Sequence, residues 1–302
     1  MPSFLIEESV DAKDIIEYGE TELGGRSDIP YDGRFLANFD YQYVTDEQDP
    51  SSSELEARIE IYELTGDARD PIIVMPLDVT FTAADLVSLS NGNLFVSWFA
   101  SGDLYFTIFD PTDTEGQVSS SSQITTQILD DIFVGGSITN HSPKPDAIQL
   151  SDSRILLTWA APAPSDNSET GLLAQFLSED GVQSSDIFQI HSSTYLEQIG
   201  QAITELNDGS IFVAYESIDG DIEGRSWNGA IVREIISQDC TISAEKKAVN
   251  YYYNGTDYFP AIARNEDGNF AVTYSNSIYG VFATSYVADA NDEFDITFRQ
   301  LL

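Results

Sequence analysis

Residues 266–274 read EDGNFAVTY, an acid–glycine turn followed by an alternating apolar strand that ends on an aromatic. Near-copies stand at 207–215 (NDGSIFVAY), 151–159 (SDSRILLTW), 90–98 (SNGNLFVSW) and 31–39 (YDGRFLANF). Aligned on the residue before the turn glycine, they place Asp32, Asn91, Asp152, Asp208 and Asp267 at steps of 59, 61, 56 and 59 residues. Five such units account for nearly all of the 302 residues. Self-similarity at a fixed period outranks any local signal.

Each unit has the same internal order. A short apolar segment comes first, as in ADLVSL, DAIQL, QAITEL and PAIAR. The Asp/Asn-Gly turn follows, and such pairs suit hairpins because both central residues tolerate positive φ. Ser153 replaces the glycine in the third unit. A central strand comes next (NLFVSW, RILLTW), then a third (RIEIYEL, LYFTIFD, LLAQFLS, GAIVREI, GVFATSY) and a more polar fourth (PIIVMPL, SQITTQIL, SDIFQI, AVNYYY, DITFRQL). Four short antiparallel strands per repeat, without intervening helices, predict an all-β fold: a five-bladed β-propeller of five repeats of about 59 residues. Residues 1–30 are then an N-terminal strand and lead-in, and 31–302 the propeller, a single domain. The aromatic that ends each central strand (Phe39, Trp98, Trp159, Tyr215, Tyr274) is expected to pack between neighbouring blades.

The segments FPAIARNEDGNFAVTYSNSIYGVFATSYV (259–287) and GQAITELNDGSIFVAYESIDGD (200–221) come close to a D-G-x-F-x-V-x-W pattern, with Tyr274 and Tyr215 in place of its Trp and Ile211 in place of its Phe in the second. This pattern resembles the repeats of large secreted bacterial surface proteins associated with RTX segments. The resemblance covers 84–302 well and 1–83 loosely. It implies a propeller-like fold and an extracellular or surface setting, and it supplies no catalytic residues. The calcium-binding nonapeptide array of RTX segments does not occur in this sequence.

Charge is the extreme feature of the composition. The chain has 51 acids against 13 bases, a formal net charge of −38, and its only lysines are Lys13, Lys144, Lys246 and Lys247. Such a surface repels nucleic acid, whose binding needs Lys and Arg to neutralise phosphates, and anionic membranes. It suits solubility in a salty medium, where the mutual repulsion is screened. Hydrophobic residues make up 42% of the chain, enough for a core. No apolar run reaches 18 residues, so no membrane-spanning helix is expected. The N-terminal residues MPSFLIEESVDAKD have neither a basic n-region nor a long h-region, so no Sec signal peptide is expected. Cys240 is the single cysteine and reads as one buried thiol.

Catalytic material is sparse. His141 and His191 are the only histidines, and no G-x-S-x-G, H-E-x-x-H, P-loop or dinucleotide motif occurs. Glycosidases on this architecture use paired carboxylates near the central channel, which the first strand of each blade faces. Asp85 and Asp146, each six residues before its turn residue, are the nearest analogues, while Ala202 and Ala261 occupy the equivalent points. They are read here as an acidic rim. For a cation, DGDIEG (219–224) is the best candidate: Asp219, Asp221 and Glu223 alternate, and Gly224 follows as in an EF-hand loop. Ala230 nevertheless stands where such a loop needs a bidentate Glu, so a solvated hairpin is expected and calcium remains the alternative.

Together these features lead to the expectation of a non-enzymatic structural or attachment protein on the exterior of a particle or cell, with a virion component as one form. The alternatives are a lectin or adhesin domain binding glycans through Tyr251, Tyr252 and Tyr253, and a glycoside hydrolase. SFLIEES (3–9) is a surplus strand candidate because FDITFRQLL (294–302) already completes the last unit, so a terminal strand is expected to pair with another protein of an assembly. Added calcium is expected to raise the melting temperature only by non-saturating screening. A saturable shift abolished by Asp219→Ala with Asp221→Ala would instead establish a site.

Overall fold

The computed structural model describes residues 35–45, 53–63, 73–77, 81–100, 103–110, 122–124, 144–161, 170–192, 198–217, 221–222, 225–226, 229–242, 247–249, 255–265, 267–287 and 295–301. It is all-β and antiparallel, and it divides into two units, Met1–Thr80 and Phe81–Leu302. The first unit holds one sheet, β1 (Phe35–Thr45), β2 (Ser53–Glu63) and β3 (Ile73–Leu77), in that order. The surplus strand candidate SFLIEES lies outside the described residues.

The second unit is β-propeller-like, built from four successive four-stranded sheets. The first contains β4 (Phe81–Ser88), β5 (Leu94–Ala100), β6 (Asp103–Phe109) and β7 (Ser122–Ile124). The second contains β8 (Asp146–Gln149), β9 (Ile155–Ala161), β10 (Gly171–Leu177) and β11 (Phe188–Gln189). In the third, β12 (Gln198–Glu205) pairs with β13 (Ile211–Ser217), and after a small hairpin of β14 (Asp221–Ile222) and β15 (Arg225–Ser226) come β16 (Ala230–Ile236) and β17 (Lys247–Ala248). The last contains β18 (Asp257–Arg264), β19 (Phe270–Asn276), β20 (Gly280–Val287) and β21 (Asp295–Leu301), so the C-terminal segment does complete its sheet.

Among the described residues of this unit, the apolar clusters lie between consecutive sheets, and the central strands β9 and β13 are each divided between two of them. In β9, Leu157 and Trp159 join Phe95, Phe99 and Phe106 of the preceding sheet. Leu156 and Ala160 on its other face join Val213 and Tyr215 of the following one. In β13, Phe212 and Ala214 face Phe270 and Tyr274 of the last sheet. All seven residues of β9 and of β13 are consequently buried, as expected of strands covered on both faces. Trp98, Trp159, Tyr215 and Tyr274 are all buried, which is the core role read from the sequence; the side chain of Phe39 is outside the described residues.

The repeated turn differs from the one expected. Leu89 N–H bonds the Asn93 carbonyl and Gly92 N–H the Leu89 carbonyl, and the same two bonds recur at 150–154, 206–210 and 265–269. Among the described residues of these four turns positive φ occurs at Gly92, Ser153, Gly209 and Gly268, and not at the residue before. These are three-residue loops with one left-handed position and a bulge. The preceding side chain braces three of the loops: Asn91, Asp152 and Asp208 each accept the N–H two residues on, at 2.9, 3.1 and 2.8 Å. Ser153 takes φ 72° to satisfy the same bonds without a glycine. The five-residue turn is used again between third and fourth strands, at 178–182 and 237–241. There Cys240 occupies the left-handed position (φ 69°), and it is half-buried instead of fully buried.

Hydrogen bonds stitch each turn to the next sheet at a constant place in the repeat. Ser90 N–H is accepted by the Gln149 side chain. Ser151 donates N–H and Oγ–H to Glu205 at 2.7 and 2.8 Å, and Arg264 donates to Asn207 at 2.7 Å.

A Cβ at Gly92 would meet nothing within 4 Å, so Gly92→Ala tests backbone conformation alone. It is expected to cost about 1 kcal/mol, and Ser153→Gly to raise the melting temperature. Thermal denaturation of the two variants checks this, and the opposite order would contradict the turn assignment.

Candidate functional site

The first strands of consecutive sheets, β4, β8, β12 and β18, lie beside one another. A residue at a given distance before its turn therefore recurs at one level from strand to strand. Six residues before the turn stand Asp85 on β4 and Asp146 on β8, one strand apart.

The structure brings these two together. Asp85 Oδ2 accepts the Ala147 N–H at 2.9 Å, and the same amide also favours the charged form of Asp146. Asp146 Oδ2 accepts the Ile203 N–H of β12 at 3.0 Å. Both residues are only half-buried in total surface, yet their carboxylates are enclosed by protein. Burial therefore dominates, and it raises Asp85 to about 6 against the pull of the Lys144 charge and of the Ala147 amide. Asp146 is raised to about 8, first by burial and then by the negative charge of Asp85, with Lys144 again opposing. Two acids share one neighbourhood, and ionisation of the first holds the proton on the second.

Neighbouring groups fix this arrangement. Thr158 Oγ1 donates to the Asp146 carbonyl at 2.9 Å. The Gln201 amide spans from β12 to the carbonyls of Lys144 and Thr158 at 3.1 and 3.2 Å. Lys144 itself is exposed, eight residues before its turn. The chemistry open to such a pair is general acid–base work, one carboxylate charged and one protonated near neutrality.

One further acid was not singled out in the sequence. Glu216, at the end of β13, is buried, and its Oε1 accepts the Phe259 N–H at 2.7 Å. Burial raises it to about 7 despite that bond. A Cβ on Gly200 would lie 2.8 Å from the same carboxylate oxygen, so Gly200 leaves the room that Glu216 fills. The signal in the sequence was faint: Asp40 is the one other acid at the equivalent repeat position, where Phe99, Ala160 and Ser275 stand in the remaining units.

The cation candidate is not assembled among the described residues. Asp219 and Glu223 lie outside them, and Asp221 opens the short strand β14. No group of three His, Cys, Asp or Glu side chains is gathered among the described residues. Tyr251, Tyr252 and Tyr253 also lie outside them. Among the described residues no helix is long and apolar enough to cross a membrane.

No family model and no curated protein matches the chain. Solved structures similar to it include an endo-arabinase from Bacteroides thetaiotaomicron (10% identity, 87% of this chain, 93% of that chain, TM-score 0.47). An endo-1,4-beta-xylanase from the same organism (9%, 89%, 92%, 0.46) and an alpha-L-arabinofuranosidase from Lactobacillus brevis (12%, 88%, 91%, 0.49) are also similar. The expectation of a non-enzymatic structural, virion or attachment protein is corrected here. The solved structures named above are carbohydrate-cleaving enzymes by their names. The two acids read as an acidic rim are enclosed, and burial raises Asp85 to about 6 and Asp146 to about 8.

All three raised acids bind protons more tightly in the folded chain than in the unfolded one, where they titrate near 3.8 or 4.5. Their contribution to stability is thus complete below those values and is lost as the pH rises through about 6, 7 and 8. Asp146→Asn is expected to flatten the fall of the melting temperature at the upper end of that range. Comparison with the parent at one high salt concentration separates this from general charge repulsion.

Proposed function

We propose that this protein is a glycoside hydrolase on a five-bladed β-propeller, its five repeats of about 59 residues forming the blades. The observation that supports this reading is the Asp85–Asp146 pair: two enclosed carboxylates on adjacent first strands, with their proton affinities driven apart. In this reading Asp146, the more strongly protonated, is the general acid that protonates the leaving glycosidic oxygen. Asp85, ionised first, is its partner, acting on water or on the anomeric carbon. Lys144 tempers both by its charge, and Gln201 holds the backbone that carries Asp146 in place. The names of the similar structures suggest arabinan, xylan and their aryl glycosides as the first substrates to assay. The strongly acidic surface fits work on uncharged glycans outside a cell.

A second reading has its own observation. Asp85 and Asp146 each accept an amide one residue after the same position on the next strand, so both are also stitches between sheets. Asparagine separates the two roles, since its carbonyl oxygen still accepts the amide while it neither ionises nor donates a carboxyl proton. Asp85→Asn and Asp146→Asn are each expected to lower glycoside hydrolysis by about 10²–10⁴-fold with the fold retained. Wild-type activity should rise with pH through about 6 and fall through about 8. No hydrolysis of any of these substrates by the wild type, or unchanged rates in both variants, would leave the stitching role alone.

A further inference from the structure

Among the described residues three non-glycine residues have positive φ. Ser153 and Cys240 lie in five-residue turns whose backbone bonds demand it. Phe259 (φ 59°) is different: it lies inside β18, at a break in register between Tyr258 and Ala261. A bulky aromatic is poorly suited to that backbone, and β12 shows the easier solution. Its break between Ile199 and Ala202 contains Gly200 at φ 62°, the same place in the repeat as Phe259.

The strain at Phe259 is not offset by burial, since the residue is 46% exposed. Its conformation is nevertheless tightly set. The buried Glu216 carboxylate accepts its N–H at 2.7 Å, and the Tyr258 ring meets its ring edge to face at a centroid distance of 5.1 Å. An exposed aromatic pinned in an unfavourable backbone conformation is a feature to be explained by function. Its repeat position, eight residues before the turn, is that of Lys144, whose charge reaches both Asp85 and Asp146. Phe259 thus stands at the Lys144 end of the first strands, two strands along, with bare Gly200 between them.

We infer that Phe259 is a stacking platform for the C–H face of a sugar residue of the glycan presented to the Asp85–Asp146 pair. The inference rests on the hydrolase reading above. A flat apolar ring gains by covering a sugar's C–H face and needs no hydrogen bond to do so. Glu216 acts as a positioning residue through the Phe259 amide.

Binding is the readout, measured with Asp146→Asn as parent so that turnover plays no part. The probes are soluble arabinan and xylan in affinity electrophoresis. Phe259→Asn, which tolerates left-handed backbone, is expected to keep or raise the melting temperature and to weaken binding about tenfold. Phe259→Trp is expected to retain binding. If the parent binds and Phe259→Asn binds equally well, this inference falls while the hydrolase reading stands. Equal loss of melting temperature and binding in both variants would make Phe259 a structural residue and overturn it too. If the parent binds neither polysaccharide, the inference falls together with the reading on which it rests.

Discussion

A four-stranded antiparallel sheet has two faces and, by itself, nothing to bury either against. In residues 81–302 the solution is to share. The central strands β9 and β13 give alternate residues to the sheet before and the sheet after, so in β9 Leu157 and Trp159 belong to one interface and Leu156 and Ala160 to the next. Burial on this scale, at about 25 cal/mol per Å² of apolar surface, makes the interfaces the main stabilising element. The large aromatics at the strand ends are their anchors, and truncating such a residue typically costs about 3–5 kcal/mol. Stability is therefore of the nearest-neighbour kind found in repeat proteins, where a unit is folded because its neighbours are.

This shared burial also explains where the polar groups are. With both faces of β9 and β13 buried, several of the directed links between sheets involve the first strands and the turns that follow them. At the turn end Ser90, Ser151 and Asn207 reach the next sheet. At the other end Asp85, Asp146 and Glu216 do so through backbone amides. Ser90, Ser151 and Asn207 are exposed, whereas the second set is enclosed. Enclosure turns an ordinary stitch into a group that changes charge near neutral pH, which is the precondition for acid–base chemistry.

Much of the fold was legible in the sequence because the repeat is short, regular and punctuated. The repeated Asp/Asn-Gly stretch, with Ser153 in place of one glycine, located four of the turns, and the strand order around them is the one observed. The turn type was misjudged, since Asn-Gly and Asp-Gly suit two kinds of hairpin loop and only backbone geometry separates them. The candidate site was half legible. Its two aspartates follow from their equivalent repeat positions, but their enclosure depends on how neighbouring first strands converge, which no linear pattern encodes. Glu216 was faint for the opposite reason: of its equivalents only Asp40 is acidic, the others being Phe99, Ala160 and Ser275, so the repeat that revealed the fold did not mark the position as an acid. Phe259 was hidden likewise, because its register break depends on backbone dihedrals.

The five-residue turn appears in two kinds of hairpin, those that open a sheet and those that lead to its last strand. Its shape is written in two main-chain bonds and one left-handed position, and Gly, Ser and Cys all fill that position. Such a loop behaves as a cassette. Its sequence can be exchanged between hairpins, or replaced by a foreign segment with the same ends, without informing the interfaces beneath. A lineage built on it is free to vary what its rims display, while the buried strand ends that hold the acids stay constant.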